Sequence, residues 1–305
     1  MTPSADRGGI SRLGADGLLL VTALIWGVTF VAQKEAAALV PPMAFVAARF
    51  LVSALALAPF ALWEFRRESL PPRREELRLA AIIGLTLFLG TSLQQTGIET
   101  TSATNAGFLT ACYVVLTPFV VWALVGRRPR ALVIAASLFS LFGAWLLSSG
   151  GAFAPPGLGD GLVLIADFAW ATGIALTPIY LARGGRPFLL ALVQYALCAA
   201  LATGWSGLFE TVEASALANA AGSILFSGLL AGAVGFTMQI FAQRHTPPAE
   251  AALILSLESV FAALAGAVLL GERLTTLGAV GCMLILAGAF AVEIEPLLFR
   301  RTARA

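Results

Sequence analysis

Residues 16–34 read DGLLLVTALIWGVTFVAQK, and residues 160–178 read DGLVLIADFAWATGIALTP. Both stretches open on Asp-Gly-Leu and carry a tryptophan ten residues further on, at Trp26 and Trp170. Between Asp16 and Lys34 there is no charged residue. The run approaches the ~20 apolar residues that a helix needs to cross a hydrocarbon core of about 30 Å. It reads as a retained membrane helix: it is too long for a signal-peptide core, and no small-residue cleavage site follows the polar segment Met1 to Gly14.

The rest of the chain repeats that pattern. Charges, Pro pairs and Gly clusters divide it into ten apolar runs, at 16–34, 43–64, 77–98, 104–125, 131–150, 160–181, 187–207, 217–242, 248–270 and 275–296. The breakers are short, among them Pro41-Pro42, Pro71-Pro72-Arg73-Arg74 and Pro247-Pro248. Over 305 residues, 59% are hydrophobic and 12% charged. A soluble domain carries roughly 25% charged residues, so lipid must stand in for the missing polar surface. Strict alternation over about ten residues, the mark of a membrane β-barrel, is absent, and a backbone in lipid must then close its own hydrogen bonds as helices. The fold class expected is all-α integral membrane, with ten transmembrane helices around a central cavity.

Arginine placement orients the spans. With the N-terminus inside, Arg7, Arg12, Arg66, Arg67, Arg73, Arg74, Arg78, Arg127, Arg128, Arg130, Arg183, Arg186, Arg244, Arg300, Arg301 and Arg304 all fall on inner segments. The outer segments hold only Lys34 and Arg273, with Glu99, Glu210 and Glu213 among their charges. Both termini are therefore expected on the cytoplasmic side of a bacterial inner membrane.

The opening resemblance extends along the chain once a one-residue gap is allowed. Pro42 pairs with Pro187, Gly90 with Gly235, Gln94 with Gln239, Gly126 with Gly271 and Gly143 with Gly288. The expected organisation is a cytoplasmic tail 1–15, a first five-helix repeat 16–150, a periplasmic linker 151–159, a second repeat 160–296 and a cytoplasmic tail 297–305. Five spans per half force the second half to cross in the opposite sense. Inverted repeats of this kind place a site near the midplane, between halves that can rock.

Several stretches carry a family resemblance. Trp26-Gly27-Val28-Thr29-Phe30 resembles the first-helix signature of the EamA-type branch of the drug/metabolite transporter superfamily. So do Ala106-Gly107-Phe108-Leu109-Thr110, Tyr113-Val114-Val115-Leu116-Thr117-Pro118, Leu257-Glu258-Ser259-Val260-Phe261-Ala262-Ala263 and Leu270-Gly271-Glu272-Arg273-Leu274. The resemblance spans about residues 16–296. It implies ten helices in an inverted five-plus-five repeat and export of small metabolites or drugs by alternating access. Within the branch the sequence is most similar to YddG-type exporters of aromatic and other amino acids; a multidrug, nucleoside or sugar exporter is the alternative.

Polar groups inside the membrane are costly, so each is a candidate contact to substrate. Glu258 reads as a cavity carboxylate for an amino group or a proton, or else as a helix-end acid. Asp167, one turn below Trp170, reads as a buried hydrogen-bonding group. Gln94 and Gln239, equivalent in the repeat, either line the cavity from two sides or tie helices together. Asn105 opens the fourth run as an N-cap or a contact to a polar head, alongside Thr110. Trp26, Phe30, Phe108, Tyr113, Trp170 and Tyr195 sit within runs, where rings can stack on aromatic or cationic substrates or simply pack. Arg49, a cation within the second run, reads as an ion-pair partner of Glu35 or Glu99, with a substrate carboxylate as its other possible partner. Lys34-Glu35 reads as a solvated helix end, and Trp63, Trp122 and Trp205 as interface anchors.

Other classes find little support. The lone histidine, His245, and the absence of G-x-S-x-G or H-E-x-x-H elements argue against an intramembrane enzyme. Rings of pore-lining polar residues, as a channel needs, are lacking. No Walker-type phosphate loop occurs, so the drive is a substrate or ion gradient. Cys112, Cys198 and Cys282 read as packing residues rather than a disulfide or metal framework. No cofactor, metal or nucleic-acid partner is expected; the partners are a small-molecule substrate and the bilayer, with the protein acting as a monomer.

Overall fold

Helix starts follow their local chemistry throughout the computed structural model, which describes residues 10–68, 71–149, 157–269, 271 and 275–302. Arg7, the linker over 150–156, Leu270, Glu272-Arg273-Leu274 and Arg304 lie outside the described residues. Among the described residues every regular element is helical. They are α1 (Arg12–Ala37), α2 (Pro42–Arg67), α3 (Arg74–Ile98), α4 (Ala103–Thr110), α5 (Tyr113–Val125), α6 (Ala131–Ser149) and α7 (Leu158–Ala182). There follow α8 (Pro187–Phe209), α9 (Ala214–Asn219), α10 (Ala221–Phe226), a π-helical segment (Ser227–Phe236), α11 (Thr237–Ala242), α12 (Pro248–Leu255), α13 (Glu258–Leu269) and α14 (Thr276–Thr302).

Pro42, Pro187 and Pro248 each occupy the first turn of their helix, where the missing N–H would have had no partner. Ser11 caps α1 by accepting from Gly14 N at 3.1 Å, and Ser102 caps α4 by accepting from Asn105 N at 3.0 Å. The capping role open to Asn105 thus falls to Ser102, because the helix begins at Ala103, one residue before the apolar run. Glu210, past the end of α8, caps α2 from outside, accepting from Met43 N and Ala44 N at 2.9 Å each. A carboxylate at a helix N-terminus meets both the orphan donors and the positive end of the macrodipole.

Eight stretches are long and apolar enough to cross a membrane: α1, α2, α3, Ala103–Val125, α7, α8, Ala221–Ala242 and Pro248–Leu269. Two shorter apolar helices, Ala131–Leu147 and Thr276–Val292, accompany them. Outward-facing side chains are large and apolar, among them Leu55, Phe60, Phe139, Phe168 and Val268. Exposed apolar surface on this scale fits a lipid solvent and not water. Trp63, Trp122 and Trp205 are exposed too, and the Arg67 and Arg128 guanidinium groups lie over the rings of Trp63 and Trp122. Pro248–Leu269 is 72% buried where the other stretches reach 39–56%, which puts it at the heart of the bundle.

Packing pairs α2 with α8, α6 with α14 and α3 with α7, while α1 lies against α13 and the π segment. α6 and α14 touch through Gly143 and Gly281, where the two backbones come together with no side chain between. Two of the apolar runs are broken within the bundle at equivalent places. The α4–α5 break falls at Ala111-Cys112 and the α12–α13 break at Ser256-Leu257, 145 residues later. Short-range bonds close both: Cys112 N donates to Leu109 O, and Leu257 N to Ile254 O. Gly126 and Gly271, again 145 apart, both take positive φ (74° and 69°), the left-handed conformation that terminates a helix.

One buried ion pair anchors the end where α3 and α8 begin. Arg186 Nε and Nη2 donate to Glu76 at 3.0 Å each, and Tyr180 Oη donates to Glu76 Oε1 at 3.3 Å. This partner raises the Arg186 guanidinium above its ordinary value. Replacing Glu76 with Ala leaves that cation without its partner, so thermal unfolding in detergent is expected to show a loss of about 2 kcal/mol. Unchanged melting would show that water already solvates the pair.

Candidate functional site

Trp26 on α1 and Trp170 on α7 owe their positions to glycines in the opposite half of the chain. A Cβ on Gly90 would come within 2.9 Å of the Trp170 ring, and one on Gly235 within 2.7 Å of Trp26 Nε1. Each indole therefore lies against a bare helix surface of the other half. Phe236 joins them, its ring centroid 4.5 Å from that of Trp26 and 5.9 Å from that of Trp170. The two indoles are not an open pair around empty space, since a third ring bridges them.

Phe236 closes the π segment, whose widened turns free backbone carbonyls for outside donors. Four side chains take them. Thr22 Oγ1 donates to Gly235 O at 3.3 Å, Trp26 Nε1 to Ala231 O at 3.1 Å, Ser53 Oγ to Gly228 O at 2.7 Å and Tyr195 Oη to Gly232 O at 3.1 Å. In lipid an unmade backbone bond costs several kcal/mol, so these donors hold the segment open. Tyr195, read from sequence as a substrate contact, is spent on this task and lies off the cavity.

The central cavity is lined from both halves. Of the residues singled out in the sequence, it brings together Trp26, Phe30, Gln94, Thr110, Tyr113, Trp170, Gln239 and Glu258. Asn105, Phe108, Asp167 and Tyr195 do not line it. Phe108 packs against the apolar core. Asn105 sits at the bundle end, donating to Thr101 Oγ1 and Asp160 Oδ1 at 2.7 Å each. Asp167 is buried behind the wall, 1% exposed, with electrostatic contact to Glu258. Gln94 and Gln239 combine both roles open to them: they face the cavity, and they donate to Thr110 Oγ1 (2.9 Å) and Gln243 Oε1 (3.3 Å).

Glu258 opens α13 and Tyr113 opens α5, so the two equivalent helix breaks deliver one acid and one phenol to the same space. The Tyr113 hydroxyl stands beside the Glu258 carboxylate. Gln33, Gln194 and Phe236, which the sequence did not mark, also line the cavity, as does Arg49, for which a substrate carboxylate was one of two partners open. Arg49 is 5% exposed and pairs with neither Glu35 nor Glu99. Its Nη1 donates to Gln33 Oε1 at 3.0 Å, and its guanidinium lies over Phe45 and Phe50, 5.4 and 4.9 Å from their centroids. The expected ion pair fails because Arg49 is buried on Gln33, away from that end, where Lys34 Nζ donates to the carbonyls of Ile98 and Thr101 at 2.8 Å each, at and just past the end of α3. Lys34 is accordingly a helix clasp and not a solvated end. The repeat interval was the available signal, since Arg49 and Gln194 stand 145 apart, like Gln94 and Gln239.

Five lining residues carry a buried polar atom with no hydrogen-bond partner among the described residues. They are Arg49 Nε, Gln194 Nε2, Trp170 Nε1, Tyr113 Oη and Glu258 Oε1. Buried polar atoms are satisfied more than nine times in ten, so five on one wall point to something polar that occupies the space.

The two ends of the bundle are tied differently. At the arginine-rich end, Arg12 and Arg130 both donate to Glu250, Arg12 Nε donates to Asp16 at 3.1 Å, and Thr246 Oγ1 donates to Asp16 Oδ1 at 2.6 Å. At the other end the repeat-equivalent residues Thr101, Asn105 and Asp160 are tied by side-chain hydrogen bonds. There Glu99, just past α3, is raised above the ordinary carboxylate range by burial and by nearby Glu210.

An all-helical, lipid-facing bundle built around a polar central cavity is the architecture of a multi-pass membrane transporter. The chain belongs to the EamA-like transporter family, which matches it twice, over residues 13–149 and 157–294. It is 32% identical to an uncharacterized transporter of Archaeoglobus fulgidus over 94% of this chain and 88% of that protein. It is 26% identical to the uncharacterized transporter YwfM of Bacillus subtilis, over 91% and 93% of the two chains. Identity to the uncharacterized inner membrane transporter YedA of Escherichia coli is 25%, over 93% and 92%. A solved crystal structure superposes with a TM-score of 0.77 over 94% of this chain and 100% of that one, at 18% identity, a likeness of fold.

Proposed function

We propose that this membrane transporter exports amino acids, aromatic ones included, and related small metabolites from the cytoplasm, as a YddG-type exporter working by alternating access. In this reading the eight long apolar stretches and the two shorter helices make ten spans. They form inverted repeats over 16–150 and 160–296, joined by a periplasmic linker, in a bacterial inner membrane with both termini cytoplasmic. The monomer is the working unit.

The observation that carries the reading is the set of unpartnered donors and one unpartnered carboxylate oxygen on a single aromatic-walled cavity. Such a lining suits a molecule with both a hydrogen-bond-accepting and a donating head and an apolar body. The repeat supports a rocking motion: α2 against α8 and α6 against α14 join equivalent spans of the two halves, as a two-fold operation requires. The inner-membrane setting draws support from the likeness to YedA.

Purified protein in liposomes is expected to show saturable flux of Phe, Trp, Thr or Met. Flux of none of these would overturn the amino-acid assignment, and unsaturable flux would favour a pore. Replacing Trp170 with Ala removes both an unpartnered indole N–H and the ring seated on Gly90, with an expected fall in flux of about tenfold or more. Unchanged kinetics in a folded variant would return Trp170 to a packing role.

A further inference from the structure

The cavity holds a buried cation without an acid. No carboxylate lies within ion-pair reach of Arg49 among the described residues. Its contacts are the single bond to Gln33, the faces of two phenylalanines and an electrostatic neighbour in the Cys198 thiol. The acids of the site lie elsewhere: Glu258 stands beside Tyr113, and Asp167 is buried behind the wall near Glu258. A guanidinium taken out of water is costly unless paired, and a buried one that faces a cavity leaves its pairing to whatever enters.

The repeat sharpens this. The position equivalent to Arg49 is Gln194, which also lines the cavity and also carries a buried N–H group with no acceptor. Each half thus contributes one unanswered donor at corresponding places, one charged and one neutral. A negatively charged group with two acceptor oxygens answers Arg49, whose planar guanidinium fork matches a carboxylate better than a point charge does, and Gln194 offers the same cavity a second, neutral donor.

We propose that Arg49, with Gln194, forms a carboxylate-binding subsite, so that the substrate class is carboxylate-bearing amphiphiles and excludes the corresponding amines and neutral amides. This rests on the cavity being the transport site, and it narrows what that site accepts.

The test is a binding titration that needs no knowledge of the natural substrate. Folded protein in detergent is titrated with phenylacetate, 3-phenylpropionate and L-phenylalanine, and with the amide of each, while the tryptophan fluorescence of the cavity wall is followed. Wild type is expected to bind each acid at least about tenfold more tightly than its amide, the scale of one charge-assisted hydrogen bond. Arg49→Gln is expected to erase that preference, and Arg49→Lys, which keeps the charge but loses the fork, to retain part of it. Equal affinity for acid and amide, binding of neither, or a preference that survives in Arg49→Gln would each overturn the proposal. Acid preference without amino-acid flux in liposomes would leave the subsite standing and remove the amino-acid reading; flux with no acid preference would do the reverse.

Discussion

Replacing Glu258 with Gln is expected to abolish any pH dependence of transport and to lower concentrative flux by about tenfold or more. Glu258 is 2% exposed, starts α13 at the centre of the bundle, and presents an oxygen with no hydrogen-bond partner to the cavity. Gln keeps its shape and one of its two oxygens but cannot exchange a proton. Losing a charge-assisted contact in a dry site costs about 1.5–3 kcal/mol, hence the tenfold estimate. Flux in liposomes across imposed pH gradients reads the outcome directly. A variant that keeps the wild-type pH profile would remove Glu258 as the proton site and turn attention to Asp167, whose two oxygens are also without partners.

Replacing Glu250 with Ala is expected to loosen the arginine-rich end of the bundle, with amide exchange in α12 accelerated by about tenfold or more. The Glu250 side chain is 8% exposed and joins α1 through Arg12 to the start of α6 through Arg130. Its removal takes away the acid that Arg12 and Arg130 share across the gap between helices. Each charge-assisted bond is worth about 1.5–3 kcal/mol, enough to move a two-state equilibrium by an order of magnitude. At the opposite end the equivalent residue is Asn105, tied to Asp160 and far from the substitution, so exchange around α4 is expected to change little. Uniform acceleration at both ends would mean global destabilisation instead of a released gate, and no change would show that Asp16 and Thr246 hold that end alone.

The spans and their doubling were legible because they rest on composition and on rare residues at a fixed interval. Trp, Gln, Asp and Pro at intervals of 144 or 145 survive where Leu and Ala matches mean nothing. The helix breaks were not legible. Ala111-Cys112 and Ser256-Leu257 contain neither Gly nor Pro, so tertiary packing and not local propensity opens them. The π segment was equally silent, since its donors come from Thr22, Ser53, Trp26 and Tyr195 on other helices. The cavity wall was half visible: the aromatic and amide residues in the broken and paired runs line it, while Asn105 and Tyr195 lie off it and make bonds between helices. Arg49 was assigned to acids at the membrane edge because sequence distance suggested them, and only the third dimension shows that Lys34 closes that end while Arg49 faces the cavity.

The exchange of Trp26 onto Gly235 and Trp170 onto Gly90 means that neither half carries its own complement. A duplicated chain is usually free to let its copies diverge, one keeping the old task while the other drifts. Here an added methyl at a glycine in one copy strikes an indole in the other, so each copy polices its sibling. Divergence is confined to positions outside that handshake, such as the place where one copy has Arg49 and the other Gln194. The residues that match the two halves and the residues that distinguish them are therefore different ones, and either set can change without erasing the other.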